Sequence, residues 1–331
     1  MDPITHLTSG VLTAQAVRPS THNRWFFLFC IIGSLIPDID NLAGLIGPEF
    51  YLIHHRGITH SLLGGLAMSF LLAFGYVALN RSSSFKRSLA VASFLIALHI
   101  FLDIITSYGT QIFYPFSRFR YELASVFIVD PVYTLSLIGV LASSFAFKRN
   151  RARIAVLGLV WLVIYPAIGY AFRYQIQNRI EREIRENGLD YQQVHVIPEA
   201  LSPIQWKVIL EDRHYYYLGN TRLMGKNDQI QYERYQKADL ALLKTFGEKV
   251  SFFKTYAWFA LYPVMKITNQ DAHTMVTFGD LRFISTLSFL KNRTQKNGLP
   301  FSLSALLDDD RNLVGFTYRK PGGAQIIQHL E

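Results

Sequence analysis

His99 and Asp103 stand four residues apart inside the apolar run Leu89 to Thr106, so a helix carries them on one face. A charged aspartate in the middle of a membrane helix costs about 2.5–3.5 kcal/mol on insertion scales, and such residues usually mark function. The bland alternative is an interhelical hydrogen-bonded pair. Pro37-Asp38-Ile39-Asp40 closes another apolar stretch with two carboxylates two apart. In an extended conformation both point the same way, which suits adjacent or bridging ligation of a metal. A helix end followed by a polar turn would use the same residue types. His54-His55-Arg56-Gly57-Ile58-Thr59-His60 packs three histidines and an arginine into seven residues before the next apolar run. Neutral imidazoles favour zinc, whereas carboxylates also accept magnesium or manganese. Without a metal, the same loop is an aromatic and basic interfacial segment. His6, near the start of the chain, reads by itself as a surface residue.

These residues need elements to position them. Four runs approach the roughly 20 apolar residues that cross a bilayer: Leu62 to Leu79, Leu89 to Thr106, Val126 to Phe147 and Ile154 to Phe172. Ile4 to Val17 and Trp25 to Pro37 are shorter, and each fits a short membrane helix, a re-entrant segment or a soluble core helix. The net charge of +9 first suggests nucleic acid, but its distribution follows membrane topology, so no nucleic-acid partner is expected. Arg18 to Arg24, Arg81 to Arg87 and Lys148 to Arg153 are basic and contain no acid, whereas the alternate loops Asp38 to His60 and Tyr108 to Ser125 mix both signs. Short basic loops face the cytoplasm. If both short segments cross, six crossings result, with both termini outside. The expected fold is an α-helical membrane bundle of about six helices over residues 1–172, followed by an α+β extramembrane domain over residues 173–331. The lone Cys30 excludes an intrachain disulfide.

That topology brings the chemistry to one level. His6 begins the first helix outside, Asp38 and Asp40 end the second, and His55 and His60 precede the third. His99 and Asp103 lie in the outer half of the fourth, and Asp130 opens the fifth on the same side. Random placement would scatter such residues between the two faces.

Beyond Arg173 the pattern changes. Arg173 to Glu186 alternates charges on a helical period. Val194 to Ile197, Trp206 to Leu210, Tyr215 to Leu218, His273 to Ile284 and Leu313 to Arg319 have the composition of strands, the last preceded by a turn at Asp308 to Asn312. Gln231 to Phe246 reads as an amphipathic helix, and Ser251 to Met265 as core or membrane-contacting chain. An antiparallel sheet is expected to organise this part.

Thr5-His6, the PDID run, HHRGITHS and the His99/Asp103 pair resemble the YdjM-like predicted membrane-bound metal-dependent hydrolases, over roughly Met1 to Phe172. Phe127-Ile128-Val129-Asp130-Pro131 resembles a further element of that family. The family's His/Asp pattern is similar to that of zinc-dependent phospholipase C. The resemblance implies metal ligands at His6, Asp38, His60, His99 and Asp103, with Asp40 and His55 as further ligands or supporting residues and Asp130 as a secondary candidate. No counterpart of the later H-x-x-x-E motif of soluble zinc phospholipases lies within the resembling residues 1–172, so a full three-metal site is not expected.

The function expected from this pattern is metal-dependent hydrolysis of a phosphate ester, with membrane lipid or another amphiphile as the partner. The cofactor would be a divalent metal, zinc first, with magnesium or manganese as alternatives. It would lower the pKa of water toward neutrality. Asp40 or Asp103 would bridge metals or orient the water, and Arg56 would hold a phosphate oxygen in its planar fork. The expected location is the bacterial inner membrane, with the site and the C-terminal domain on the outer side. Two other readings compete: a non-catalytic metal-binding scaffold, and an intramembrane metalloprotease. The second lacks both HExxH and a glutamate pair before an arginine, and no GxSxG serine motif or phosphate-binding glycine loop is present.

Overall fold

The computed structural model describes residues 1–17, 24–188, 190–223, 230–270, 273–288, 290–291, 299, 301–319 and 325–329. Most of the first basic loop, residues 18–23, therefore lies outside the described residues. The described chain forms two compact units. One contains Met1–Ala43, His54–Phe172 and Ala200–Pro203; the other contains Gly44–Ile53, Arg173–Glu199 and Ile204–Glu331.

The first unit is helical. Its elements begin with α1 (Pro3–Val17), α2 (Arg24–Leu35) and the 3-10 helix Ile36–Leu45. After α3 (Pro48–His54), which but for His54 belongs to the second unit, come the 3-10 turn Ile58–His60, α4 (Leu62–Leu79), α5 (Phe85–Ile104), α6 (Pro131–Ala146) and α7 (Arg151–Glu186), whose residues beyond Phe172 also belong to the second unit. Among the described residues four helical segments are long and apolar enough to cross a membrane: Arg24–Leu45, Leu62–Leu79, Phe85–Ile104 and Lys148–Glu186. α6, at 16 residues, is a shorter apolar helix because Asp130 and Pro131 start it late. The Asp130 side chain accepts from the N–H groups of Val132 and Tyr133, and Pro131 fits the first turn, where its missing N–H is not needed.

Two local devices let these helices pack. Gly10 of α1 lies against α2 so closely that a Cβ there would stand 2.4 Å from Ser34 Oγ and 2.8 Å from the Cys30 carbonyl. Small residues permit such backbone approach between apolar helices, where lipid gives no hydrophobic drive for association. Pro166 lies inside α7 and has no N–H for the carbonyl one turn back, at Leu162. The buried Tyr133 hydroxyl donates to that carbonyl at 2.7 Å, which satisfies a group otherwise orphaned in an apolar setting. Leu12, Leu98, Leu102, Tyr133, Leu137, Leu162 and Tyr165 form one buried apolar cluster around this point.

The second unit carries two antiparallel sheets. The first is built in chain order from β1 (Gln193–Pro198), β2 (Gln205–Glu211), β3 (Tyr215–Arg222) and β4 (Glu233–Gln236). The second runs β5 (Pro263–Gln270), β6 (His273–Asp280), β7 (Leu303–Leu307), β8 (Leu313–Arg319) and β9 (Gln325–His329). Two helices separate them, α8 (Leu240–Lys249) and α9 (Ser251–Phe259). One expectation is corrected here. Residues 231–246 are not one helix: Glu233–Gln236 pairs with β3, and α8 starts only after Asp239, which caps it by accepting from Ala241 and Leu242 N–H. Residues 251–265 divide into α9, whose Phe252, Phe253, Tyr256 and Phe259 are buried, and the first residues of β5.

Candidate metal centre

The PDID residues are wound as a 3-10 helix, not extended as the sequence spacing suggested. With three residues per turn, positions three apart fall in rows. Pro37 and Ala43 are buried, and Asp40, whose side chain is 5% exposed, lies in their row. Ile39, Leu42 and Leu45 form a second row, and Asp38 belongs to the third. Two carboxylates separated by one residue therefore face different partners.

Asp38, His60, His99 and Asp103 each bring one ligand atom within 4.8 Å of the other three. His99 and Asp103 come from the last turns of α5, and His60 from the 3-10 turn that precedes α4. The His60 and His99 Nε2 atoms are 3.1 Å apart. Asp103 Oδ2 lies 2.9 Å from His60 Nε2 and 3.6 Å from His99 Nε2. Asp38 Oδ1 stands 3.9 Å and 3.8 Å from the same two nitrogens. Tetrahedral zinc with its usual bond lengths separates neighbouring ligand atoms by about 3.4 Å, so these spacings bracket what one cation requires.

The outer ends of the two rings fix their tautomers. His99 Nδ1 contacts the Ser34 carbonyl at 2.7 Å, and a carbonyl can only accept, so Nδ1 carries the proton. His60 Nδ1 lies 3.0 Å from Asp40 Oδ2, where donation to the carboxylate serves equally. In each neutral ring the remaining Nε2 lone pair then points inward, the arrangement by which outer partners orient metal-binding imidazoles. Burial disfavours the His60 imidazolium, but hydrogen bonds to Asp103 and Asp40 outweigh it and raise its pKa to about 9. A proton on His60 and a cation in the cluster are thus alternative answers to the same negative field.

Asp40 organises the loop behind His60. Its carboxylate receives the Arg56 N–H at 2.9 Å and the Thr59 hydroxyl at 2.7 Å, and it contacts His55 Nδ1 at 2.9 Å. His55 consequently faces Asp40 and, edge-on, the Tyr108 ring. Arg56 adopts left-handed backbone, φ 57°, uncommon for a side-chain-bearing residue; its N–H is held by Asp40 and its carbonyl by the Gln111 N–H. This turns its guanidinium inward. Nη2 pairs with Asp103 Oδ1 at 2.8 Å, and Nη1 donates to the Asp103 carbonyl and the Thr106 hydroxyl. Asp103 Oδ1 also pairs with the Met1 amino group.

His6 is fully buried, not a surface residue. Its ring stacks on His99 with centroids 3.8 Å apart, and Nε2 lies 3.5 Å from Asp103 Oδ1. Neither of its ring nitrogens has a hydrogen-bond partner among the described residues. Asp130 is committed elsewhere: besides capping α6, it accepts from the Tyr165 hydroxyl at 3.0 Å and from the Ser202 hydroxyl. The structure thus gathers Asp38, His60, His99 and Asp103, sets His6 and Arg56 against Asp103, and puts Asp40 and His55 behind His60. Sequence reasoning missed Ser34, Thr59 and Thr106. Thr59 stood inside the histidine motif and could have been noticed, whereas a carbonyl such as that of Ser34 leaves no mark in the residue type.

A helical membrane region whose buried histidines and aspartates converge from separate segments defines a membrane protein with a candidate metal site. The chain belongs to the YdjM inner membrane protein family, whose model matches residues 1–176. It is also similar to a Bacillus subtilis (strain 168) protein described as uncharacterized protein YfhP, 29% identical over 269 residues that cover 77% of this chain and 76% of that protein. No solved structure matches the chain.

Proposed function

We propose that this protein is a membrane-bound metal-dependent hydrolase that cleaves a phosphate ester. One observation carries the reading: two imidazoles have their Nδ1 atoms committed to acceptors while their Nε2 atoms meet at 3.1 Å beside two carboxylates. Four acceptors facing one another repel unless a proton or a cation lies among them, and a cation satisfies all four at once. Imidazole with carboxylate suits zinc, and manganese or magnesium less well. The chemistry such a cation supplies is acidification of water, which makes a nucleophile available near neutral pH.

The chain's own residues divide the remaining work. Asp38, His60, His99 and Asp103 hold the cation, with His6 beside Asp103 as the residue able to extend the site to a second one. Asp40 and the Ser34 carbonyl fix the two rings. Arg56 is a positioning residue, since both terminal nitrogens of its fork are used on Asp103 and Thr106. In the reaction, the oxygen of water bonds to phosphorus, the ester P–O bond breaks, and the leaving oxygen takes up the proton. The test is metal analysis of the purified protein together with turnover of phosphomonoester and phosphodiester substrates. Stoichiometric metal and turnover abolished by chelation and restored by zinc are expected; an active protein indifferent to chelation would refute the reading.

One observation favours a metal-stabilised scaffold instead: four protein ligands can fill a tetrahedral shell, as structural zinc sites do. Against it, Asp38 stands farther from both imidazoles than Asp103 does, and its side chain is 21% exposed while those of the other three are 0–1% exposed. A shell with one loose, accessible member has room for substrate. Metal retained in a protein with no turnover on any phosphate ester would favour the scaffold.

For topology we propose six crossings, with α1 and α6 as the two short ones, and the centre on the outer side of the inner membrane together with residues 173–331. The support is the acid-free basic composition of 81–87 and 148–153. Reporter fusions after Arg87 should report cytoplasm and fusions after Phe172 the exterior; the reverse pair inverts the assignment.

A further inference from the structure

The 3-10 helix that delivers Asp38 also faces outward. Ile39, Leu42 and Leu45 are 54%, 58% and 84% exposed and form one row at the three-residue repeat. This helix completes the apolar segment Arg24–Leu45, which is long enough to cross a bilayer. Its outward row therefore continues a lipid-facing surface up to the level of the centre. Asp38 is also the one partly exposed ligand of the four, so the cluster reaches the surface at this helix. A substrate approaching Asp38 meets a carboxylate and, on the adjoining row, the aliphatic side chains of Ile39 and Leu42. Water-soluble esters gain nothing from such a border. With a cation held by the cluster beside Asp38, a molecule with an anionic head and a hydrocarbon tail suits both the centre and the aliphatic row.

We infer that the substrate is a phosphate amphiphile that stays anchored in the membrane, its tail along Ile39 and Leu42 and its head at Asp38. The inference rests on the metal-dependent hydrolase reading for its phosphate chemistry, but its test reads binding and needs no turnover. The protein is loaded with cobalt(II) in detergent micelles, and its visible spectrum is titrated with methylphosphonate and with dodecylphosphonate. The long-chain probe should act at a concentration about 30-fold or more below the short one, because tail burial adds to head binding. Ile39→Ser/Leu42→Ser should shrink that ratio by about tenfold, the worth of two aliphatic side chains partly buried against a tail. Cobalt stoichiometry and the methylphosphonate titration should not move. Leu66→Ser/Leu71→Ser in α4 changes two residues that are likewise exposed, at 64% and 66%, and should leave the ratio intact.

An unchanged ratio in the Ile39/Leu42 variant, or no tail advantage in the wild type, overturns the inference and leaves the hydrolase reading standing. A tail advantage lost in the variant, in a protein that hydrolyses no phosphate ester, supports the amphiphile site and sinks the hydrolase reading. A centre that takes up no cobalt, or that ignores both phosphonates, removes both.

Discussion

Asp103→Asn is expected to purify without stoichiometric metal and to lose all measurable turnover. Both of its oxygens are engaged inside the cluster. Oδ2 closes on His60 and His99, while Oδ1 holds Arg56 and lies 3.5 Å from His6. Replacing one oxygen by an amide NH2 puts a donor where either a cation or a guanidinium must sit. The loss also reaches stability, because Arg56 and Asp103 have side chains only 5% and 1% exposed. Removing one partner of a buried ion pair strands the other, at a cost of about 3–5 kcal/mol. Thermal unfolding in detergent should therefore show a large drop for Asp103→Asn, partly recovered in Asp103→Asn/Arg56→Met, where the stranded guanidinium is gone and only the Met1 amino group still lacks its carboxylate. Metal should stay absent from both. Full metal occupancy in Asp103→Asn would show that Asp103 is not needed to hold the cation.

Asp40→Asn is expected to keep the metal stoichiometry but weaken affinity by about 10–100-fold, the usual effect of losing the residue that orients a ligand. The carboxylate now serves His60, His55, Thr59 and the Arg56 N–H together, and an amide cannot accept from all four. A competing proton must be kept out of the comparison. Asp40 is one of the two carboxylates that raise the His60 pKa to about 9, and a raised pKa means that metal must displace a proton at any lower pH. Affinity in the wild type should accordingly weaken as pH falls below 9, with proton release on binding. The substitution removes part of that competition while loosening the ring, so the two effects oppose each other at neutral pH. Titrations against a chromophoric chelator above pH 9 isolate the orienting role. Equal affinities there would reduce Asp40 to a structural residue of the loop.

The apolar runs were the most readable part of the chain. Residues 62–79 form α4 without a shift at either end, because Ser61 caps the first turn and Asn80 closes the last. Strand β8 likewise coincides with the aromatic and β-branched run 313–319. Histidines and aspartates in apolar surroundings were legible as a set, since their insertion cost singles them out. Their conformation was not. Spacing by two reads as one face only if the chain is extended, and in the 3-10 helix 36–45 it separates Asp38 from Asp40. Residues 231–246 failed for a related reason: a strand of four residues ahead of a capped helix has too short a period to stand out from it. The burial of His6 depended on α1 docking on its neighbours, a tertiary fact for which one histidine in a small-residue helix gives no sign.

All four gathered ligands precede Thr106, and 227 residues of the 331-residue chain follow Ile104. At bacterial synthesis rates of about 5–20 residues per second, the ribosome needs roughly 10–45 s to complete that remainder. The last ligand therefore enters the membrane while most of the polypeptide is still unmade. A cation bound by this centre would thus be captured early in biogenesis, which pulse-labelling of ribosome-bound chains stalled after α5 would reveal, and metal starvation would act on the newborn helices before the sheets exist.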